Sequence, residues 1–407
     1  MRWADLLVFC PVASYQLVAL PFAILFHHLC ASWCLSPTAR YIFLLTGGCL
    51  LASTSAGGYA MLLFIPAATS VFILLFASQA RVHSWAFSFQ MSWQTLCHLG
   101  LRNSQDTRSA VVLSAVMLLT QKVTSLALDV HEGTVKLRPS QGILQQALPL
   151  CSYLLFFPAL LGGPLCSFSR FQAQIKLPLT SHRPLGVTSW RCLCALALLV
   201  LRAGLQTSLA TMQGCAHLGC IWTQALLFKL AYYSQWMLDE ALLEAAGLGP
   251  GTGQGDLSGS DLWVLETSNR VSVFARTWNK STSRWLRRLI FQRCPVQPLL
   301  ATFAFSAWWH GLQPGQLFGF LCWAIMLEAD YRIHPFLRAW ATSCGAKLLY
   351  YSATWLSTQL IISYILVAIE TESFSKLHQL WASSSSILPL SYSLALLLLL
   401  TRKVKQN

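Results

Sequence analysis

Charge is scarce in this chain. Of 407 residues, 28 are Lys or Arg and 14 are Asp or Glu, 10% in all, whereas 55% are hydrophobic. So few solvated side chains leave no stretch that reads as a separate soluble domain. The signatures of several enzyme classes are missing too. No P-loop, Rossmann glycine pattern or serine nucleophile elbow occurs, so nucleotide-binding and hydrolase readings gain nothing. The 14 cysteines include no Cys-x-x-Cys pair. The closest, Cys30 with Cys34 and Cys192 with Cys194, match no zinc pattern and read as small buried apolar residues. No fixed-period repeat is visible, which gives solenoid and inverted-repeat transporter architectures no support.

Apolar runs near the spanning length are what the chain has in abundance. They fall near 6–33, 40–57, 60–78, 84–101, 109–130, 148–166, 190–212, 216–238, a broken pair around 299–331, then 346–369 and 387–401. By that criterion the sequence predicts an all-α polytopic membrane protein of about ten to twelve transmembrane or re-entrant helices, residues 1–407 forming a single domain. The run from Leu6 to Phe26 exceeds a signal-peptide core and lacks a small-x-small cleavage site, so it reads as a retained first helix. The net charge of +14 does not call for nucleic acid, because the cations sit in short loops and at helix ends. Lys176, Arg183 and Arg191, the cluster from Arg270 to Arg293, and Arg402, Lys403 and Lys405 are all expected on the cytosolic side. The Gly- and Ser-rich loop from Gly247 to Ser260 is bordered by Asp239, Glu240, Glu244 and Asp256, expected to be solvated rather than catalytic.

Two polar residues stand out between Arg270 and Leu327. Asn279 lies in a strongly basic segment, and 31 residues later His310 lies in the apolar string Phe305-Ser306-Ala307-Trp308-Trp309-His310-Gly311. One straight helix would separate them by roughly 46 Å, more than a bilayer core of about 30 Å, so the chain is expected to break at Pro295 and Pro298. A helix starting at Pro298 would carry the imidazole about 18 Å inward before Gly311, Pro314 and Gly315 interrupt it. Irregular backbone at that depth belongs where protein or a water-filled chamber surrounds it, which places a chamber at His310.

Helical projection of the basic segment puts Arg276, Lys280, Arg284, Arg287 and Arg288 in one sector, opposite Phe274, Trp278, Trp285, Leu286, Leu289 and Ile290. That describes a helix at the cytosolic membrane surface, its cations toward headgroups or a phosphorylated ligand. Asn279 projects from the apolar flank, where its amide needs partners. Asn279-Lys280-Ser281 also fits a glycosylation sequon, expected to stay unused in the cytosol. For His310 a metal ligand is disfavoured, since no companion ligands sit nearby; a satisfied core histidine and a general base both remain open. Ser306 and Ala307 are small and Phe303 is flat on the same helical face, leaving room for a thin apolar ligand.

An asparagine in a basic segment followed by a histidine in an apolar one resembles the membrane-bound O-acyltransferase family. Phe157-Pro158-Ala159-Leu160-Leu161-Gly162-Gly163-Pro164 looks like that family's Gly-Pro segment, and Tyr232-Tyr233-Ser234-Gln235-Trp236 through Ala245-Ala246-Gly247 falls where its members carry a similar stretch. Trp93-Gln94-Thr95-Leu96-Cys97-His98-Leu99-Gly100, Ser152-Tyr153-Leu154-Leu155-Phe156-Phe157-Pro158 and Thr302 through Gly311 are similar to members that act on a secreted peptide. The connections around Asn103–Arg108 and Gly249–Ser260 are short for the family. The resemblance implies transfer of a medium-chain acyl group, chiefly octanoyl, from acyl-CoA to a serine hydroxyl near the N-terminus of proghrelin. It implies a multi-pass protein of the endoplasmic reticulum membrane, contacting lipid, with no nucleic acid, metal or cofactor beyond octanoyl-CoA or another medium-chain acyl-CoA as co-substrate.

The family's asparagine and histidine map onto Asn279 and His310. On that reading neutral His310 is the general base, and Asn279 holds the thioester or donates to developing negative charge. Arg276 is expected at the CoA phosphates. Buried methylenes favour ever longer chains, so an eight-carbon preference needs a steric floor, for which Phe303 and Trp323 are the candidates beside ordinary helix packing. A lipid or sterol acyltransferase and a transporter with a proton-relay histidine are the alternatives, and a covalent route through Cys166 or Cys322 is formally open.

Overall fold

The computed structural model describes residues 11–104, 106–136, 142–177, 185–211, 217–249 and 259–404. Every regular element among them is helical. Among the described residues, five helices are long and apolar enough to cross a membrane: Val12–Ala31, Pro37–Phe76, Thr107–His131, Gly186–Leu209 and Cys344–Glu370. A pair bent by 70°, Phe374–Ala382 with Ser384–Leu398, makes a sixth crossing if it acts as one span. The all-α class is as expected, and the number of crossings matches only roughly because other apolar runs fold into shorter or more polar helices.

The chain divides into two compact units, Met1–Val200 with Tyr232–Asp256, and Leu201–Ala231 with Leu257–Asn407. The first holds α1 (Pro11–Ala31), α2 (Pro37–Ala56), α3 (Met61–Phe76), α4 (Val82–Leu101), α5 (Thr107–His131), α6 (Ile143–Leu155) and α7 (Phe168–Lys176). It also takes in much of α8 (Leu185–Thr211) and the C-terminal half of α9 (His217–Ala245). Starts are set locally: Ser36 caps α2 by accepting from the Ala39 N–H with Pro37 in the first turn, and Asp106 caps α5 by accepting from Arg108. Gly48 lets α2 approach the Leu155 carbonyl at the end of α6, where a Cβ would collide.

Several buried polar groups hold this first unit. Lys122 of α5 donates to the carbonyls of Ala159 at 2.6 Å and Leu154 at 3.4 Å, with its ammonium 4.4 Å from the Phe156 ring centroid. Arg40 donates to the Ile175 and Leu177 carbonyls, both at 2.9 Å. The acidic border expected to be solvated is buried: Asp239 accepts from Gln16, and Glu240 pairs with Arg191 of α8. Partners distant in sequence make that burial tolerable. Glu244 is half-buried, and Asp256 lies outside the described residues.

The second unit contains α10 (Gly259–Thr267), α11 (Val271–Thr277), α12 (Lys280–Leu286), a π turn (Arg287–Phe291), α13 (Pro298–His310), α14 (Pro314–Trp340), α15 (Cys344–Glu370), α16 (Phe374–Ala382) and α17 (Ile387–Val404). The α14–α15 pair is its backbone. Gly315 sits against the Ala368 and Thr371 carbonyls, and Gly319 against Ile369 and the Ile365 carbonyl, so the two helices meet at a small-xxx-small contact that no larger residue fits. This lock fixes the rotation of α14, and with it the rings of Phe320 and Trp323.

Candidate active site

The expected break between Asn279 and His310 is present. Helix α13 starts at Pro298, ends at His310, and is followed by Gly311 with φ +120°, a conformation that glycine adopts without a Cβ penalty. The interruption at 311–313 then leads into α14, with Pro314 in its first turn.

The single amphipathic helix expected across 270–293 is not what forms. Helix α11 stops at Thr277, and Asn279 adopts left-handed φ 43°, ψ 65° before α12 begins. Asparagine tolerates this region, and its side chain supplies the cap: Oδ1 accepts from the Thr282 N–H and from the Ser281 hydroxyl, both at 3.4 Å. Both bonds use the carboxamide oxygen. The Nδ2 group donates to nothing among the described residues, so the amide is oriented through one end and available at the other.

The two-sided character of the segment survives its break. Phe274, Trp285 and Leu289 are buried, whereas Arg276, Arg284 and Arg287 are exposed. Arg276 closes the last turn of α11, on the far side of the break from α12. Lys280 pairs with Asp261 at 2.5 Å.

His310 is half-buried. Its ring lies 4.7 Å from that of Trp309 and 4.9 Å from that of Phe320. Phe320 continues to Trp323 at 6.4 Å, nearly parallel, and Trp323 stacks on Phe303 at 6.0 Å. Trp323 also meets Phe274 at 6.4 Å, which stacks on Trp278, the neighbour of Asn279, at 5.5 Å. A continuous run of rings therefore leads from the imidazole to the residue preceding Asn279. Phe303 and Trp323, singled out in the sequence, both belong to it; Phe320 was missed, although it lies three residues before Trp323 on the same face of α14. Ser306 is buried on α13, and its hydroxyl donates back to the Thr302 carbonyl at 2.9 Å.

A polar cluster that the sequence left unassigned braces this region. The buried carboxylate of Asp330 in α14 accepts from Arg270 at 3.1 Å and from the Ser272 N–H at 3.4 Å. His334 lies 3.6 Å from the same carboxylate, with its ring nitrogens 3.2 Å from the Asn269 carbonyl and 2.5 Å from the Tyr350 hydroxyl. Asn269 reaches Thr354 at 3.3 Å, and Gln359 donates to the Leu265 carbonyl at 3.1 Å. The chain entering α11 is thus tied to α14 and α15, which sets where Asn279 emerges.

Asn279 thus stands at a helix break beside exposed cations, and His310 at a helix end beside a row of aromatic rings. The membrane-bound O-acyltransferase family profile matches residues 103–369, and the chain belongs to that family. Along its full length it is 48% identical to the membrane-bound ghrelin O-acyltransferases of mouse and of rat, with all of each relative covered. Membrane-bound glycerophospholipid O-acyltransferase 2 of chicken is 28% identical over 86% of this chain and 77% of its own.

Proposed function

We propose that the chain transfers a medium-chain acyl group, chiefly octanoyl, from acyl-CoA to the hydroxyl of a serine near the N-terminus of proghrelin, in the endoplasmic reticulum membrane. The observation that carries this reading is the 48% identity, end to end, with relatives named for ghrelin acylation. The glycerophospholipid relatives, at 28%, support a lipid acceptor less well. On this proposal the full chain works as one catalytic domain around a central chamber.

In the proposed mechanism neutral His310 accepts the serine proton as the hydroxyl oxygen attacks the thioester carbonyl carbon. The carbon–sulfur bond then breaks, and the proton passes to the departing CoA sulfur, leaving an ester and a thiol. Nδ2 of Asn279 donates to the carbonyl oxygen as it gains charge, and the cap through Oδ1 holds it in place at no cost in reorganisation. Arg276, exposed at the end of α11, takes a CoA phosphate. The ring of Phe303 closes the acyl site, with that of Trp323 along its side, so that chain length is limited by steric exclusion rather than by attraction. Direct transfer needs no acyl-enzyme; Cys166 and Cys322 stay outside the reaction.

The test supplies purified protein with octanoyl-CoA and, in separate reactions, a short proghrelin peptide, its Ser→Ala version and a lysolipid. Octanoylation of the serine peptide alone is the expected result. Acylation of the lysolipid with the peptide untouched would overturn the proposal.

A further inference from the structure

We propose that the indole N–H of Trp323 is a second hydrogen-bond donor to the acyl carbonyl of the donor thioester, acting with Asn279. This rests on the acyl-transfer reading above. Trp323 is 5% exposed, and its Nε1 has no hydrogen-bond partner among the described residues. An indole N–H can only donate, and buried indoles ordinarily find an acceptor. The neighbours here are the phenyl rings of Phe274, Phe303 and Phe320, which carry no lone pair. An acceptor has therefore to come from a ligand or a water.

Position selects the ligand. Phe320 lies against both Trp323 and His310, and Phe274 lies against both Trp323 and Trp278, the neighbour of Asn279. The indole thus stands in the row of rings between the base and the carboxamide. In acyl transfer the group between them is the thioester, whose carbonyl oxygen gains negative charge as the carbon becomes tetrahedral. The acyl tail carries no other acceptor. Trp323 accordingly combines an apolar body that borders the chain with a polar tip that meets its head, and the two roles are separable.

The separation is tested with two unreactive donor analogues in competition with octanoyl-CoA on the full-length protein. One is a ketone in which methylene replaces the thioester sulfur, keeping the carbonyl; the other is the S-octyl thioether of CoA, which lacks it. Trp323→Phe is expected to lose about tenfold in affinity for the ketone, the value of one net hydrogen bond, and less than twofold for the thioether. Its melting temperature is expected to fall modestly, because the smaller ring leaves part of a buried site unfilled. Equal losses for the two analogues, or no loss for either, overturns the assignment. If the smaller ring fails to fold, 3-benzothienylalanine at position 323 removes the N–H at nearly constant volume, and the same comparison decides. A wild type that transfers octanoyl normally while its variants lack the ketone-specific loss removes the Trp323 role alone. A wild type that binds neither analogue removes the acyl-transfer reading and this inference with it.

Discussion

The carboxylate of Asp330 accepts a hydrogen bond at 3.1 Å from Arg270, 60 residues away in sequence, which lies on the chain leading from α10 to Asn279. It also receives the Ser272 N–H. The pair joins the helix that carries the aromatic rings to the helix that delivers the carboxamide.

Asp330→Ala should therefore cost both stability and activity. Breaking a buried ion pair costs about 3 kcal/mol, the low end being apt because the Arg270 side chain is 33% exposed. Thermal unfolding in detergent checks the first effect and peptide octanoylation the second. Asp330→Asn, which keeps an acceptor for Ser272, should retain more of both.

Asn279→Asp isolates the donor role of the carboxamide. Aspartate preserves the oxygen that caps α12 and tolerates the left-handed backbone, but it has no N–H to offer. Turnover is expected to fall about 100- to 1,000-fold with the melting temperature little changed. His310→Ala should abolish transfer while the protein stays folded; undiminished turnover would return the imidazole to packing.

Gly319→Ala should destabilise by about 1–3 kcal/mol, since the added methyl meets Ile369 and the Ile365 carbonyl. The displacement falls on Phe320, the next residue. Activity should drop further than stability alone accounts for, which kcat and the melting temperature of the same sample will show.

Phe303→Ala should move the acyl preference to longer chains. With the ring gone, each extra buried methylene is worth about 0.8 kcal/mol, roughly fourfold in kcat/KM, until the next obstacle is met. Comparing C8, C10, C12 and C14 donors reads the new limit. A profile that weakens evenly at all lengths would assign Phe303 to packing.

Most of the helical layout was legible in the sequence because apolar runs, glycines and prolines act locally. The pair α13 and α14 falls where Pro298 and Pro314 mark it, and the histidine string ends its helix as expected. The break before Asn279 was hidden, because no proline or glycine marks it and the apolar and basic faces keep their periodicity across it. Asn279 with Thr282 three residues on was the available signal, an N-cap pattern inside what reads as continuous helix. The burial of Asp239 and Glu240 was illegible for another reason: their partners Gln16 and Arg191 lie 223 and 49 residues away. Charge next to a flexible loop reads as solvated until the fold brings a counterpart to it. The Asp330 cluster escaped notice in the same way.

The ammonium of Lys122 has a consequence for traffic through the protein. Swinging the Phe157–Pro164 segment aside would strip the buried Lys122 amine of its shorter contact, to the Ala159 carbonyl, and leave it only the longer one to Leu154 of α6. That segment is consequently anchored to α5, and any movement that accompanies turnover is expected in parts of the chain that carry no such tether.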